Sequence, residues 1–358
     1  MIPLFKVKMS LDAATAVGKV LNSGFIGQGK KVDEFEELLK HQLLTETTPV
    51  TVNSCTSAID LALELCGVGP GDEVIATPQT CFASNIGPIH RGARIRWADI
   101  DPITGLIQVG DVERLINDKT KAIVAVNWAG KFCDYKRLKQ FGVPVIEDAA
   151  HTWKIFHSDE EPVRGDYTCY SFQAIKYLTT GDGGALICPN EEKEKEARIL
   201  RWYGLDRTKS ESFRCTQNIT QAGFKYHMND INASIGIANF QESVRSVLMQ
   251  RKNTKFIIDN VKNDKLILPM YDSTCSYWLF SMHVIDGTKS EFIKYLENNG
   301  IASSPVHFRN DKYDCTKQFE EGELYGVTSF DRTQVCIPNG WWLDNIDLGH
   351  IVNTLNKY

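Results

Sequence analysis

Apolar and polar positions alternate along this chain in two different rhythms. Residues 11 to 44 carry a helical rhythm, broken at Gly24-Phe-Ile-Gly-Gln-Gly29, and Lys31-Val-Asp-Glu-Phe-Glu-Glu-Leu-Leu39 places its apolar residues at helical spacing. Short apolar runs then alternate with helical stretches. Val50-Thr-Val52 leads into Ser57-Ala-Ile-Asp-Leu-Ala-Leu-Glu-Leu65, and Glu73-Val-Ile-Ala76 leads into a segment near Ala83 to His90. Arg94-Ile-Arg-Trp97, Ala122-Ile-Val-Ala-Val126 and Val143-Pro-Val-Ile146 read as further strands. Strands alternating with helices predict an α/β fold: a mostly parallel central sheet with helices on both faces, and ligands beyond the carboxyl ends of the strands. A long helical pattern from about Asn229 to Asn263 leads into a second part with strands such as Trp278-Leu-Phe-Ser-Met-His-Val284 and a closing helix near Asp344 to Leu355. With 358 residues, more than one core usually supports, two domains are expected. We place them at 1–245, a large α/β domain, and 246–358, a smaller α+β domain.

Composition narrows the class without naming it. Net charge is -5 with no basic block, which gives no ground for a nucleic-acid partner. The apolar runs are far too short to span a bilayer, and the start shows no signal-peptide pattern. Ten cysteines without CxxC pairs or clustered histidines predict reduced, mostly buried thiols in a cytoplasmic protein and no metal site. In that setting the sequon Asn218-Ile-Thr220 reads as accidental.

Three segments carry chemistry. In Ser171-Phe-Gln-Ala-Ile-Lys176, followed by Gly181-Asp-Gly-Gly184, a lysine stands in apolar surroundings that would desolvate it and make it nucleophilic. The bland alternative is a surface lysine beside a turn. Val143-Pro-Val-Ile-Glu-Asp-Ala-Ala-His151 reads as a buried strand ending in acids and a histidine. There Asp148 either caps a helix or holds a heterocyclic nitrogen protonated. In Val52-Asn-Ser-Cys-Thr-Ser-Ala58 small hydroxyl residues sit where a strand turns into a helix, a geometry that suits a phosphate and equally an ordinary cap. Together they predict a phosphate cradle, a ring-nitrogen acid and a reactive lysine on successive strand ends.

These pieces resemble the DegT/DnrJ/EryC1/StrS sugar aminotransferases, within the aspartate-aminotransferase-like fold (fold type I of the pyridoxal-phosphate enzymes). The likeness rests on Gly27-Gln-Gly29 with Phe35-Glu36, Ser54-Cys-Thr-Ser-Ala58, Ile146-Glu-Asp-Ala-Ala150, Ser171-Phe-Gln-Ala-Ile-Lys176 with Gly181-Asp-Gly-Gly184, Leu200-Arg-Trp-Tyr-Gly204 and Gly223-Phe-Lys-Tyr-His-Met228. It implies a pyridoxal 5'-phosphate enzyme that moves an amino group from L-glutamate to a nucleotide-linked keto sugar, such as a 4-keto-6-deoxyhexose, by a ping-pong mechanism. It also implies a homodimer with active sites at the interface.

By motif position, the resemblance makes Lys176 the Schiff-base lysine and Asp148 the partner of the ring nitrogen. His151 falls near the ring hydroxyl, and Thr56, Ser57 and Ser171 fall at the phosphate. Lys225 stands where many relatives carry an asparagine that reaches the neighbouring subunit's cofactor phosphate. Cys81, with Phe82 after it, stands where relatives commonly stack an aromatic side chain on the cofactor ring. Ser303-Ser-Pro-Val-His-Phe-Arg309 is similar to a segment lining the sugar site, which implies substrate contacts for His307 and Arg309. Three alternatives are weighed. A sugar dehydratase of the same fold would carry histidine in place of Lys176. A Rossmann dehydrogenase would need a GxGxxG turn, which is missing. A non-catalytic sensor would bind the cofactor without turnover.

Overall fold

The computed structural model describes residues 1–153, 163–209 and 216–358. Two helices, α1 (Ala13–Ser23) and α2 (Lys30–Leu43), open the chain. The predicted break between them has a physical cause. The α2 amino end has no cap of its own, and Asp230 supplies one from far along the chain, accepting from the amides of Gly29 (2.7 Å), Val32 (3.1 Å) and Lys31 (3.2 Å). A Cβ on Gly29 would lie 2.9 Å from that carboxylate, so the close approach requires glycine.

The main sheet is built from β1 (Val50–Val52), β2 (Glu73–Ala76), β3 (Arg94–Trp97), β4 (Thr120–Val126), β5 (Val145–Asp148), β6 (Tyr167–Ser171) and β7 (Gly184–Ile187). Its order is β1-β7-β6-β5-β4-β2-β3. Pairs among β2 to β6 are parallel, whereas β7 runs antiparallel to both β1 and β6. The expected mostly parallel sheet is therefore present with one correction. The three chemical segments do not lie on spatially successive strands, because β7 stands between β1 and β6. A crossover pattern read along the chain cannot reveal a strand that turns back.

Period-two burial explains why the strands are almost wholly apolar. Val74, Ala76, Val124 and Ile146 face one core, which includes Phe35 and Leu39 of α2, residues of α3 (Cys55–Leu65), and Ala197 and Leu200 of α7 (Glu191–Leu200). Ile75, Ile123, Ala125 and Val145 face another, with Val112 and Leu115 of α5 (Val109–Leu115) and Leu138 of α6 (Tyr135–Leu138). Both faces are covered, as a parallel sheet needs. The short α4 (Ile86–His90) lies between β2 and β3.

The 31-residue α8 (Asp230–Asn260) matches the long helical pattern. It packs on α1 and α2, and towards its end on α11 (Asn345–Lys357). Beyond it β8 (Leu266–Ile267), β9 (Phe280–Val284) and β10 (Gln334–Ile337) form an antiparallel sheet. α9 (Lys289–Asn298) and α11 close a core with Phe280, Met282, Phe292 and Ile351, and α10 (Tyr325–Thr333) leans on the main core through Val327 and Phe330. No helix among the described residues is long and apolar enough to cross a membrane. No group of ligand side chains there fits a metal ion. Cys133, Cys169, Cys188, Cys275 and Cys336 are buried free thiols, while Cys81 and Cys315 are exposed; Cys215 lies outside the described residues.

One buried ion cluster ties α2, β1 and α7 together. Glu36 accepts from Arg198 (2.6 Å), Arg201 (2.5 Å) and the Thr51 amide (2.9 Å) and hydroxyl (2.7 Å). Burial alone would raise its pKa, but the two guanidinium groups overcome this and hold it at about 2. Removing the carboxylate strands two partly or fully buried cations. Glu36→Ala is expected to lose about 3–5 kcal/mol of stability in a denaturant titration near pH 7. The depressed folded pKa also means that this contribution is present above the unfolded value of about 4.5 and fades as the pH falls towards about 2. The gap between wild type and Glu36→Ala should therefore narrow between pH 5 and 2, and a gap independent of pH would contradict this account.

Candidate active site

Three strand ends converge on one crevice. β5 ends in Asp148, which is only 4% exposed. No helix starts there, so the capping alternative does not apply. Its carboxylate instead accepts from the Ser84 hydroxyl (2.7 Å) and the Ala150 amide (3.0 Å), with the Cys55 thiol at 3.9 Å. Burial raises the Asp148 pKa, and the hydrogen bond from Ser84 works against that rise.

Lys176 follows β6 in a loop that closes on itself: the Phe172 amide donates to Gly183, and the Thr180 amide donates to Phe172. Gly181 turns this loop with φ +86°. Desolvation brings the lysine pKa down to about 8, against the pull of Asp148, so a free amine is accessible near neutral pH.

His151 lies 3% exposed beyond Asp148, and its Nδ1 has no hydrogen-bond partner among the described residues. It stacks on Trp278 (centroids 4.1 Å, 27°) and runs parallel to His307 (5.8 Å, 7°). Burial, then Lys176 and His307, keep His151 neutral well below its ordinary pKa; burial takes His307 to about 4. An unpaired buried nitrogen in a site of this kind is a waiting hydrogen-bond position.

At the start of α3, Ser54 Oγ accepts from the Ser57 amide (3.1 Å), and Ser57 Oγ donates to Asn53 Oδ1 (2.6 Å). Thr56 is half-buried in that first turn, where the positive helix end and its amides favour an anion. Ser171 ends β6, and its hydroxyl accepts from the Gln173 amide (3.4 Å). The residues thus suit pyridoxal phosphate: a buried acid, a desolvated lysine, an orphaned histidine nitrogen and a helix amino end.

Cys81 is exposed, and electrostatically close to both Cys55 and Lys176. Phe82 turns edge-on to Tyr313 at 5.1 Å. Arg309 is buried, and its guanidinium is committed to Asp311 (2.7 and 2.8 Å) and Thr328 (3.0 Å), a structural arrangement that leaves little of it for a ligand. Lys225 is exposed, with its carbonyl accepting from Asn53 Nδ2 at 3.3 Å.

Sequence reasoning missed three contributors. Ser84 stands two positions after Phe82, but only the folded turn Phe82–Ser84 aims it at Asp148. Asn310 bonds Pro78 (2.8 Å), Thr80 (2.9 Å) and Asn85 (2.7 Å), pinning the His307 segment to the loop after β2. Trp278 reads in the sequence only as the start of a strand.

Fold and site define a pyridoxal-phosphate enzyme of the aminotransferase type, and the comparisons agree. The chain belongs to the DegT/DnrJ/EryC1/StrS aminotransferase family, whose model matches residues 8–356. It is similar to AtS13 from Actinomadura melliaura, with 36% identity, TM-score 0.91 and coverage of 100% of this chain and 99% of that one. The sugar aminotransferase CalS13 from Micromonospora echinospora shares 32% identity at TM-score 0.92, with both chains fully covered. A putative sugar aminotransferase from Streptococcus pneumoniae, Spr1654, shares 25% identity at TM-score 0.90 over 99% of this chain and 98% of its own in its PLP-form. A PMP-form of the same protein is also known. The protein is an aminotransferase that depends on pyridoxal phosphate.

Ser84→Ala removes a hydrogen bond to the ionised Asp148 and should raise the pKa of that acid further. The acidic limb of the rate–pH profile should move up with it, as followed by steady-state kinetics across pH 5 to 9. An unmoved acidic limb would exclude Ser84 as the group tuning Asp148.

Proposed function

We propose that the enzyme transfers an amino group from L-glutamate to the keto group of a nucleotide-linked sugar, a 4-keto-6-deoxyhexose being the expected acceptor. The observation that carries this reading is the pairing of buried Asp148 with desolvated Lys176 in one crevice. The sugar aminotransferase CalS13 supports the sugar class of the acceptor.

Pyridoxal phosphate supplies an electron sink next to the nitrogen-bearing carbon. Lys176 would hold the cofactor covalently and, once free, would move a proton, first as base and then as acid. A pKa of about 8 suits both roles, because neither form of the amine is costly near neutral pH. Asp148 would keep the cofactor's ring nitrogen protonated, and His151 Nδ1 would meet its ring hydroxyl. Thr56, Ser57 and Ser171 hold the phosphate. Lys225 reaches the phosphate site of a second subunit, Cys81 or Phe82 covers the ring, and His307 meets the sugar. Arg309 acts on the substrate at most through the segment it braces.

A homodimer belongs to the same proposal. Leu11 and Phe25, 98% and 82% exposed, flank α1 and support burial against a second copy. The chain is taken to divide at 245/246, inside α8, where buried positions up to Val247 join the main core and those from Ile257 join the second. A cytoplasmic site of action completes the reading.

Lys176→Ala should abolish transfer, and Asp148→Asn should slow it by about 10²–10⁴-fold while retaining some cofactor. The visible spectrum before and after L-glutamate, followed by a screen of nucleotide-linked keto sugars, tests the two halves separately. Glutamate that leaves the cofactor band unchanged excludes it as donor, and normal turnover in Lys176→Ala would overturn the assignment.

A further inference from the structure

Trp278 reaches the crevice on a hook of unusual backbone. Tyr277, just before it, has φ +56°, a left-handed conformation that bulky residues adopt only when the surroundings impose it. The surroundings here do so. The Ser276 amide donates to the Gly130 carbonyl (3.2 Å), the Trp153 amide donates to Ser276 Oγ (3.2 Å), and the Tyr177 hydroxyl donates to the Ser276 carbonyl (2.5 Å). Gly130 must lack a side chain, since a Cβ there would lie 2.8 Å from the Tyr277 amide nitrogen. The indole is then fixed by its Nε1 donating to the Ile175 carbonyl (3.1 Å), one residue before Lys176, and by stacking against Phe5 (5.2 Å) and His151 (4.1 Å).

Against this surface lies Lys176 Nζ, 3.4 Å from the ring centroid. Among the described residues the ammonium has no carboxylate within ion-pair distance and no hydrogen-bond acceptor, so the π face is the side-chain contact that attracts it at close range. Mere packing would not require an indole tied to the carbonyl beside the lysine.

We propose that Trp278 is a positioning residue whose indole face holds the Lys176 amine, as ammonium, whenever that amine is not bonded to the cofactor. The proposal rests on Lys176 being the cofactor-carrying lysine. Borohydride reduction of the holoenzyme, which should leave a pyridoxyl group on the Lys176 peptide, tests that underlying reading on its own.

The positioning role is tested on the full-length chain freed of cofactor. Lysines are labelled with trace acetic anhydride from pH 6 to 11, and modification of the Lys176 peptide is read by mass spectrometry. The wild-type midpoint is expected at about 8. Trp278→Leu removes the cation's partner and should lower the midpoint by roughly half a unit to one and a half. Trp278→Phe keeps a weaker ring face and should shift it less, in the same direction. A residue that only walls off water would act with the opposite sign, because its loss would rehydrate Lys176 and raise the midpoint towards that of an ordinary lysine. An unchanged or raised midpoint overturns the proposal. Should Trp278→Leu not fold, Trp278→Phe decides alone by the same sign.

Discussion

An acid and an amine share a dry crevice here without forming an ion pair, and most of the site follows from that separation. Had Lys176 closed on Asp148, both charges would be locked and neither could serve a ligand. Instead the carboxylate is satisfied by Ser84, Ala150 and the Cys55 thiol, and the amine rests on an aromatic face. Each therefore keeps a pKa set chiefly by desolvation, raised for the acid and lowered for the amine. The sheet supplies this condition cheaply: strand ends of a two-sided α/β core are among the few places where side chains leave an apolar interior while still shielded from water.

Much of this was legible along the chain. The strands reveal themselves by unbroken apolar runs, and Asp148 and Lys176 by standing just past two of them. The paired hydroxyls Thr56 and Ser57 declare a helix start, which the structure places at Cys55. What stayed hidden depended on contacts between distant segments. The direction of β7 is decided by pairing with β1 and β6, not by its own four residues. Arg309 looks like an anion ligand in sequence, yet a carboxylate two positions on, Asp311, takes up its guanidinium. Trp278 reads as the start of a strand because its alternation is correct. Only the hook at Tyr277, held from the distant Gly130, Trp153 and Tyr177, turns it towards the lysine.

Strain marks the same places. Val306, a β-branched residue at φ +70°, precedes His307, as Tyr277 precedes Trp278. Such conformations cost about 1–3 kcal/mol each and persist where the surroundings over-determine them. Here both deliver aromatic rings to the wall around His151.

The Asn310 cluster bears on how a substrate is received. Its bonds to Pro78, Thr80 and Asn85 stitch the segment bearing His307 to the loop that carries Ser84. Moving that segment away from the loop would have to part all of these buried bonds together. That side of the crevice is thus assembled before any ligand arrives, so none of a ligand's affinity is diverted into ordering these contacts.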